Sequence, residues 1–564
     1  MSAKMQSMLP SLKKLLKNNL VVFLVFLVLG FILYGNSLGN EMFWDDQDNI
    51  LFNEYVHNWQ HIPKYFTENN VAGRGLISNY WRPLPLTIWS IEWHLWQDWA
   101  PGYHFVQTAL HIGSAFLLFI LLNKLFNNRL LSVLTSILIL VHPLQTEAIT
   151  YVSGISDPLS AVLIFSSLIF YIKFRELKPP NSYLITCSLV LFSLSFLARE
   201  TTVFFFGYFV LVEFSLHVKK YKSAKWPRFF LDCIKFLWPF LALALAYVFL
   251  RLTALNFQNT LNLYDEQNEF TGSPLIRLFT FLRILTIYVG LLFWPHDLHI
   301  ERGVDLARSL KPPDVVFGLS VLIGSLSALI FFLKKNRLIV FAIAWVIIGL
   351  IPTSNILVPI NGLLFEHWLY IPMIGVWLVL CWCLIRLSRI ANGKLSVLFA
   401  TALRQAPLIC YMLFATFLSI RTFQQNRLWR DPITFYNYTL KFAPNSYRVL
   451  NNLGMAYAEA KQHDEAIRVY QLAIRENPEN AVAYHNLGNT QKALGNRQLA
   501  IDNFEKAISL QPDFYFSYNA LAQLYLDESD YKSAIEVLQR LLPYQTGEQY
   551  LNTQNLITQL QSQK

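Results

Sequence analysis

Charge is scarce in this 564-residue chain: Lys, Arg, Asp and Glu together make up 15% of it, against about a quarter in a soluble domain. A fold of this length lying wholly in water is therefore excluded. Cysteine is scarce too. Cys187, Cys233, Cys381, Cys383 and Cys410 all lie in or beside apolar stretches, and none has the spacing of metal ligands. Cys381 and Cys383, two apart on a helix, point to different faces. All five read as small core hydrophobes. Acidic residues are the scarcer sign, 36 against 46 basic, for a net charge of +10. The basic surplus sits in short loops between apolar runs rather than in one patch, which fits the positive-inside rule and argues against nucleic-acid binding.

Apolar residues are what the chain has in abundance, 54% of the total. They collect in runs that approach bilayer-spanning length, about 20 residues. The first is 20–38, and others lie near 103–123, 130–142, 157–173, 182–198, 201–216, 230–250, 276–294, 314–333, 338–352, 367–386 and 397–420. Lys13, Lys14 and Lys17 before the first run and Ser37-Leu38-Gly39 at its end also fit a signal peptide; the many later runs favour an uncleaved anchor, with the basic segment 1–19 in the cytoplasm. The next loop, 39–101, is then outside, and it is acidic. Basic loops at Lys124/Arg129, Lys173/Arg175/Lys178, Lys219–Arg228, Lys334/Lys335/Arg337 and Arg386/Arg389/Lys394 fall inside if one run does not cross. That run is 276–294, whose Arg277, Arg283 and Tyr288 suit an element lying flat or re-entrant on the outer face. The expectation is eleven spans, with 251–313 and everything after 421 outside.

From about 430 the composition changes to soluble helix, and a repeat of about 34 residues appears. Leu453, Leu487 and Leu521 align, as do Gly454, Gly488 and Ala522, then Ala466, Ala500 and Ala534, then Tyr470 and Phe504, then Pro444, Pro478 and Pro512. Small residues let paired helices approach and large ones fill the groove between them. This is the tetratricopeptide (TPR) pattern: two full repeats over 445–512, a third from 513, and a partial one at 431–444. The organisation expected is all-α: a polytopic bundle over 20–421, a TPR α-solenoid over 430–545 and a tail at 546–564. Such an array serves as a spacer or assembly module, or grips a flexible polypeptide on its concave face.

Polar clusters recur at span ends on the outer side. Asp45-Asp46 follows the first span, and two adjacent carboxylates raise each other's pKa toward that of a general base, although a solvated acidic turn looks the same in sequence. Trp81-Arg82-Pro83, His142-Pro143 with Glu147, Ser156-Asp157, Arg199-Glu200 and Glu366-His367 are the others. A charge at mid-membrane costs about 2.5–3.5 kcal/mol, so their convergence on one cavity would mark a site. Two have plainer readings: Arg199-Glu200 as a hairpin between short spans, and His142 as a helix cap before Pro143. Trp81, Trp89, Trp93, Trp96 and Trp99 read as an interfacial aromatic belt.

FWDDQDNI at 43–50, Trp81-Arg82-Pro83-Leu84, HPLQTEAITYVSGISDPLSA at 142–161, Glu366-His367-Trp368-Leu369-Tyr370 and the C-terminal repeats together resemble the GT-C glycosyltransferase superfamily. Within it, the chain is similar to the transmembrane-and-TPR protein O-mannosyltransferases and their bacterial relatives. It has about three repeats where eukaryotic members carry longer arrays. The resemblance implies a multi-pass protein of the bacterial inner membrane or the endoplasmic reticulum, with site and repeats on the extracytoplasmic face. It also implies a sugar donor on a polyprenyl or dolichyl phosphate, a hexose such as mannose, and a protein Ser/Thr acceptor gripped by the repeats. In that frame Asp45 or Asp46 is the base, and Arg199, then Arg82, binds the donor phosphate. Glu366, His367, Asp157, His142, Glu147 and Glu200 position substrate. No cofactor is implied, and a divalent ion between Asp45 and Asp46 is the less favoured arrangement. Two other classes stay open: a ligase or polymerase of lipid-linked glycans using the outer stretch 251–313, and a non-catalytic membrane-anchored TPR scaffold.

Overall fold

The computed structural model describes residues 18–217, 226–257, 268–360, 362–390 and 397–562. The N-terminal lysines, the basic run from Lys219 to Lys225 and Lys394 lie outside them. Among the described residues the fold is all helix, and it divides into a unit ending at Arg430 and a second from Asp431.

The first unit is a multi-pass helical bundle. Seven described helices are long and apolar enough to cross a bilayer, and eight if the pair Arg129–Val141 and Pro143–Thr150, bent by 55°, is one span. The bend falls at Pro143, which cannot donate to the preceding turn. Three shorter apolar helices follow the same pattern: Ser182–Ala198, Arg337–Thr353 and Met373–Ser388. Asparagine starts several of these helices. Asn18, Asn128, Asn181 and Asn336 each accept a backbone N–H of the first turn, satisfying a donor the helix leaves open. Burial sorts the helices. Val152–Glu176 is 83% enclosed and forms the core, whereas Pro313–Phe332, 11% enclosed, turns its apolar surface to lipid.

The two ends of the bundle differ in charge. At one end Arg337 donates to the carbonyls of Ser215 and Leu125, Arg129 to Asn19, and Lys124 pairs with Glu176. Arg175 pairs there with the buried Glu213. Among the described residues, Lys124, Arg129, Arg175 and Arg337 thus gather where the first helix begins. The other end carries the loop 39–99. There the last helix, Gln405–Leu428, meets the end of the first: Asn426 donates to Leu33 O (2.8 Å) and Asn36 Oδ1 (3.1 Å), and Asn40 donates back to Asn426 O.

Helix Pro274–Phe293 has spanning length, but its contacts lie at this loop end. Arg277 donates to Ile356 O, Arg283 pairs with Asp314, Tyr288 donates to Phe365 O, and Leu292 O meets His142 Nε2. An irregular charged segment, 294–312, runs back along it. Asp305 O accepts from Arg283, Ala307 N donates to Thr280 and Arg308 pairs with Glu269. Irregular backbone with exposed charge is not tolerated in lipid, which argues against a crossing here, although by length and composition the helix is one of the seven candidate spans. It crosses Pro313–Phe332 at Gly318, where a Cβ would sit 1.8 Å from Leu282 O.

The second unit is a stack of antiparallel pairs: Tyr447–Glu459 with His463–Glu476, Ala481–Ala493 with Arg497–Leu510, and Tyr515–Leu526 with Tyr531–Leu541. Helix Pro432–Thr439 precedes them and Gly547–Ser562 follows, burying Ile557 and Leu560 against the last pair. Within pairs, Gly454 and Gly488 admit the rings of Tyr470 and Phe504.

Candidate active site

Asp45 and Asp46 are adjacent in sequence and opposite in surroundings. Trp44 between them and the first helix has φ +60°, a left-handed turn that is strained for a bulky residue. It leaves Asp45 exposed and turns Asp46 inward, 2% exposed. Asp46 Oδ1 accepts from Ser153 N (2.7 Å) and Ser153 Oγ (2.6 Å). Burial, and less strongly the charge of Asp45, push the Asp46 carboxyl up to about 7, against the pull of the Ser153 bonds. Asp45 N donates to the Tyr151 hydroxyl (3.1 Å), and the tyrosine's own ionisation is pushed well up by burial and by both carboxylates. After the pair, the chain makes a wider i→i+5 turn over Gln47–Leu51, closed by Phe52 N to Gln47 O (2.8 Å). Such turns are often found at functional sites.

The segment that receives the pair is 143–157. It folds tightly on itself: Gly154 lies so near the preceding turn that a Cβ would be 2.9 Å from Ala148 O and 3.0 Å from Glu147 O. Gln107 clamps the same loop, donating to Tyr151 O (2.8 Å) and Val152 O (2.7 Å).

Beside it lie two ion pairs. Arg82 holds Glu200 through Nε (3.0 Å) and Nη2 (3.0 Å) and reaches Ser156 Oγ at 3.5 Å. Arg199, 8% exposed, pairs with Asp157, and its Nε donates to Thr201 Oγ1 (3.1 Å). Charges of Arg82, Glu200, Asp45 and Arg199 all bear on the Tyr80 hydroxyl, which ties the acidic pair to the arginines. A third group closes the far side. His367 Nδ1 meets Glu147 Oε1 (2.8 Å), and Glu147 Oε2 also accepts His367 N (3.0 Å), fixing ring and backbone together. Glu366 accepts from His299 N (3.0 Å) and Arg302 Nη2 (3.0 Å). Burial and the nearby Glu147 charge raise the Glu366 carboxyl to about 8 despite Arg302. A small cavity of about 20 Å³, room for little more than one water, lies beside the Arg199–Asp157 pair. Asp157, Ser160, Arg199 and Thr201 form its polar wall; Phe205, Gly349, Pro352, Trp368 and Ile371 give it an apolar one.

The structure therefore brings together Asp45, Asp46, Arg82, Glu147, Asp157, Arg199, Glu200, Glu366 and His367. His142 stands apart. It is fully buried, its Nδ1 accepts from Leu144 N (3.2 Å), its Nε2 meets Leu292 O (2.9 Å), and its ring lies on Trp377. It caps the bend at Pro143 and holds helix 274–293, as its capping reading expects. The arginines are also less free than isolated guanidinium groups, since each already faces a carboxylate. Sequence reasoning missed Tyr80, Tyr151, Ser153, His299 and Arg302. Tyr151 and Ser153 lie inside the motif at 142–161; His299 and Arg302 sit in a stretch without a recognisable pattern. Among the described residues no three His, Cys, Asp or Glu side chains are grouped to share a metal ion.

Comparison with known proteins fits both units. Tetratricopeptide-repeat family models match residues 445–513 and 503–536. Protein O-mannosyl-transferase TMTC3 of Homo sapiens is 24% identical over 511 residues, covering 85% of this chain and 54% of the human protein. Protein O-mannosyl-transferase F38B6.6 of Caenorhabditis elegans is 24% identical over 472 residues, 81% of this chain and 62% of that one. The chain spans about half the length of the first of these relatives. Among solved structures, the Archaeoglobus fulgidus oligosaccharyltransferase is similar at 13% identity with a TM-score of 0.40, over 79% of this chain and 58% of that one. The C-terminal helices are tetratricopeptide repeats, and over most of its length the chain resembles the transmembrane-and-TPR protein O-mannosyl-transferases.

Proposed function

We propose that this chain is a membrane glycosyltransferase of the GT-C type, moving a hexose such as mannose from a polyprenyl- or dolichyl-phosphate donor to a Ser or Thr hydroxyl of a protein. One observation carries the reading: an exposed carboxylate, Asp45, stands at the same bundle end as Arg199 and a pocket with one polar and one apolar wall. A lipid phosphate docked at this face would meet the Arg199 guanidinium, with its first isoprene units toward the apolar wall. Similarity to named O-mannosyl-transferases supports the sugar and the protein acceptor. Nucleotide sugars are cytoplasmic, so a site on the outer face needs a lipid carrier, and we place the loop end and the exit of the chain at Arg430 on that face.

In this mechanism the acceptor hydroxyl gives its proton to Asp45, the residue of the pair that substrate can reach. Its oxygen bonds the anomeric carbon as the bond from that carbon to the phosphate oxygen breaks, with inversion. The electron pair leaves on the lipid phosphate, whose added charge Arg199 stabilises. Asp46 acts by holding Ser153, and through it the loop under Asp45. Glu147 and His367 position sugar or acceptor. The glycan-ligase alternative draws on the segment 294–312, which brings His299 and Arg302 to Glu366.

Transfer from dolichyl-phosphate mannose, measured in membranes matched for expression, tests the proposal. Asp45→Asn should lower turnover about 10²–10⁴-fold, the usual worth of a general base, and Asp46→Asn should lower it less. Undiminished transfer by Asp45→Asn would overturn the mechanism. Transfer only from a lipid-linked oligosaccharide would favour the ligase.

A further inference from the structure

The last helix of the bundle, Gln405–Leu428, ends where the site begins. A helix leaves its final carbonyls without partners inside itself, and here other segments take them. Asn36 donates to Phe423 O (2.9 Å), Asn40 to Asn426 O (3.2 Å) and Glu41 N to Arg430 O (3.0 Å). The Asn426 side chain, fully buried, uses both its donor and its acceptor. Its amide nitrogen holds the end of the first helix, and its carbonyl accepts from Thr150 Oγ1 (3.0 Å). One helix end thus fastens both the chain that leads to Asp45 and the turn that leads to Tyr151.

Trp429 follows directly. It is 4% exposed, and its ring lies against Phe43 (centroids 6.1 Å apart, planes at 31°) and against Tyr151 (5.4 Å, 31°). Phe43 stands two residues before Asp45. The Tyr151 main chain is held separately, by Gln107 on its carbonyl. Backbone and ring together fix where the hydroxyl lies. There it accepts from Asp45 N (3.1 Å) and makes a second hydrogen bond with the Asp45 side chain. Burial and the two carboxylates push its ionisation well up, so it stays protonated and is the donor to the carboxylate.

We propose that Tyr151, seated on Trp429, is a positioning residue for the transfer: its hydroxyl aims the Asp45 carboxylate at the acceptor. An exposed side chain ordinarily samples several rotamers, and a base works only within hydrogen-bond reach of the proton it takes. A hydroxyl that bonds the backbone N–H and the carboxylate of the same residue selects one rotamer. It engages one carboxylate oxygen and leaves the other to take the acceptor's proton. Trp429 acts one step further back, by keeping the Tyr151 ring under the turn. The inference rests on Asp45 as the base and deepens that reading by naming what aims it. Neither aromatic residue contacts substrate; both act through Asp45.

Turnover and KM would be measured for dolichyl-phosphate mannose, with the full chain in membranes matched for expression. Tyr151→Phe keeps the ring on Trp429 and loses the hydroxyl. Its kcat should fall about 10–100-fold, the range for a reacting group displaced by up to about 1 Å. The donor KM should stay within about twofold of wild type, because donor binding does not use the hydroxyl. Trp429→Leu should lose turnover in the same way, and Trp429→Phe should recover most of it. Tyr411→Phe deletes a buried hydroxyl from the same last helix, at Leu134 O (2.8 Å), and should turn over as wild type. In an Asp45→Asn chain, Tyr151→Phe should change the residual turnover by less than about twofold, since the two residues act as a unit. This cycle on Tyr151 decides even if Trp429→Leu does not fold. Wild-type kcat in Tyr151→Phe, or its full loss repeated on top of Asp45→Asn, would overturn the inference and leave Asp45 as the base. Undiminished transfer by Asp45→Asn would instead remove the base, and this inference with it.

Discussion

Asp45 and Asp46 show how one strained turn gives neighbouring carboxylates different work. The buried Asp46 is pushed up to about 7 from an unfolded value of 3.8, so the folded protein favours its protonated form. That contribution to stability is full below about pH 4 and is lost as pH rises to about 7. Asp46→Asn keeps an acceptor for Ser153 and cannot ionise. Melting curves from pH 4 to 8 should therefore show the variant gaining on wild type through that window, with the gap constant above it; parallel curves would mean Asp46 is hydrated in the native state. A second pair at this scale is Glu147 with His367, joined at both ring and backbone. If the carboxylate serves to orient the ring, Glu147→Gln and His367→Asn should each impair transfer, and the double variant should be little worse than either. A double-mutant cycle on kcat/KM should show coupling of about 0.5–3 kcal/mol, the range for residues in contact. Additive losses would assign the two separate tasks.

Among the elements, the segment 143–157 does most to build the site, because it supplies Glu147, Tyr151, Ser153 and Asp157 from one folded loop. Its compactness depends on Gly154. Gly154→Ala adds a methyl against two carbonyls at 2.9–3.0 Å. The substitution should cost about 1–3 kcal/mol, as overpacking does, seen as a lowered melting temperature, and should cut transfer by displacing Ser153 from Asp46. This loop was legible in the sequence because its polar residues are crowded into one short motif between apolar runs. The repeats were legible for a different reason: Gly454 under Tyr470 and Gly488 under Phe504 recur at a fixed period. Arg302 and His299 were not legible. They reach Glu366 only because 294–312 folds back along a helix, and no local pattern of residues encodes a long-range return. Nor could the sequence separate Asp45 from Asp46, since the turn at Trp44 carries no glycine or proline to announce it. His142 was ambiguous because one side chain type serves both as a cap and as a substrate contact, and only the structure shows its two nitrogens on Leu144 N and Leu292 O.

For the whole molecule, the distribution of charge bears on how the bundle is threaded. Lys124, Arg129, Arg175 and Arg337 gather at one end; the acidic loop 39–99, the charged site and the exit at Arg430 gather at the other. That polarity follows from the positive-inside rule only if helix Pro274–Phe293 does not cross, and the charged segment returning beside it supplies the physical reason. Glu269 before this helix and Asp297 after it are both well exposed, which makes them direct reporters. Single cysteines at 269, 297 and 335 in a chain whose own cysteines are replaced by Ala or Ser would be labelled with a membrane-impermeant maleimide in sealed vesicles of known orientation. Positions 269 and 297 should label from the same side, and 335 only after the vesicles are opened, because Pro313–Phe332 then carries the chain across. If 269 and 297 label from opposite sides, the helix spans, Lys334 and Lys335 lie on the side of the loop 39–99, and the charge rule is broken at that turn.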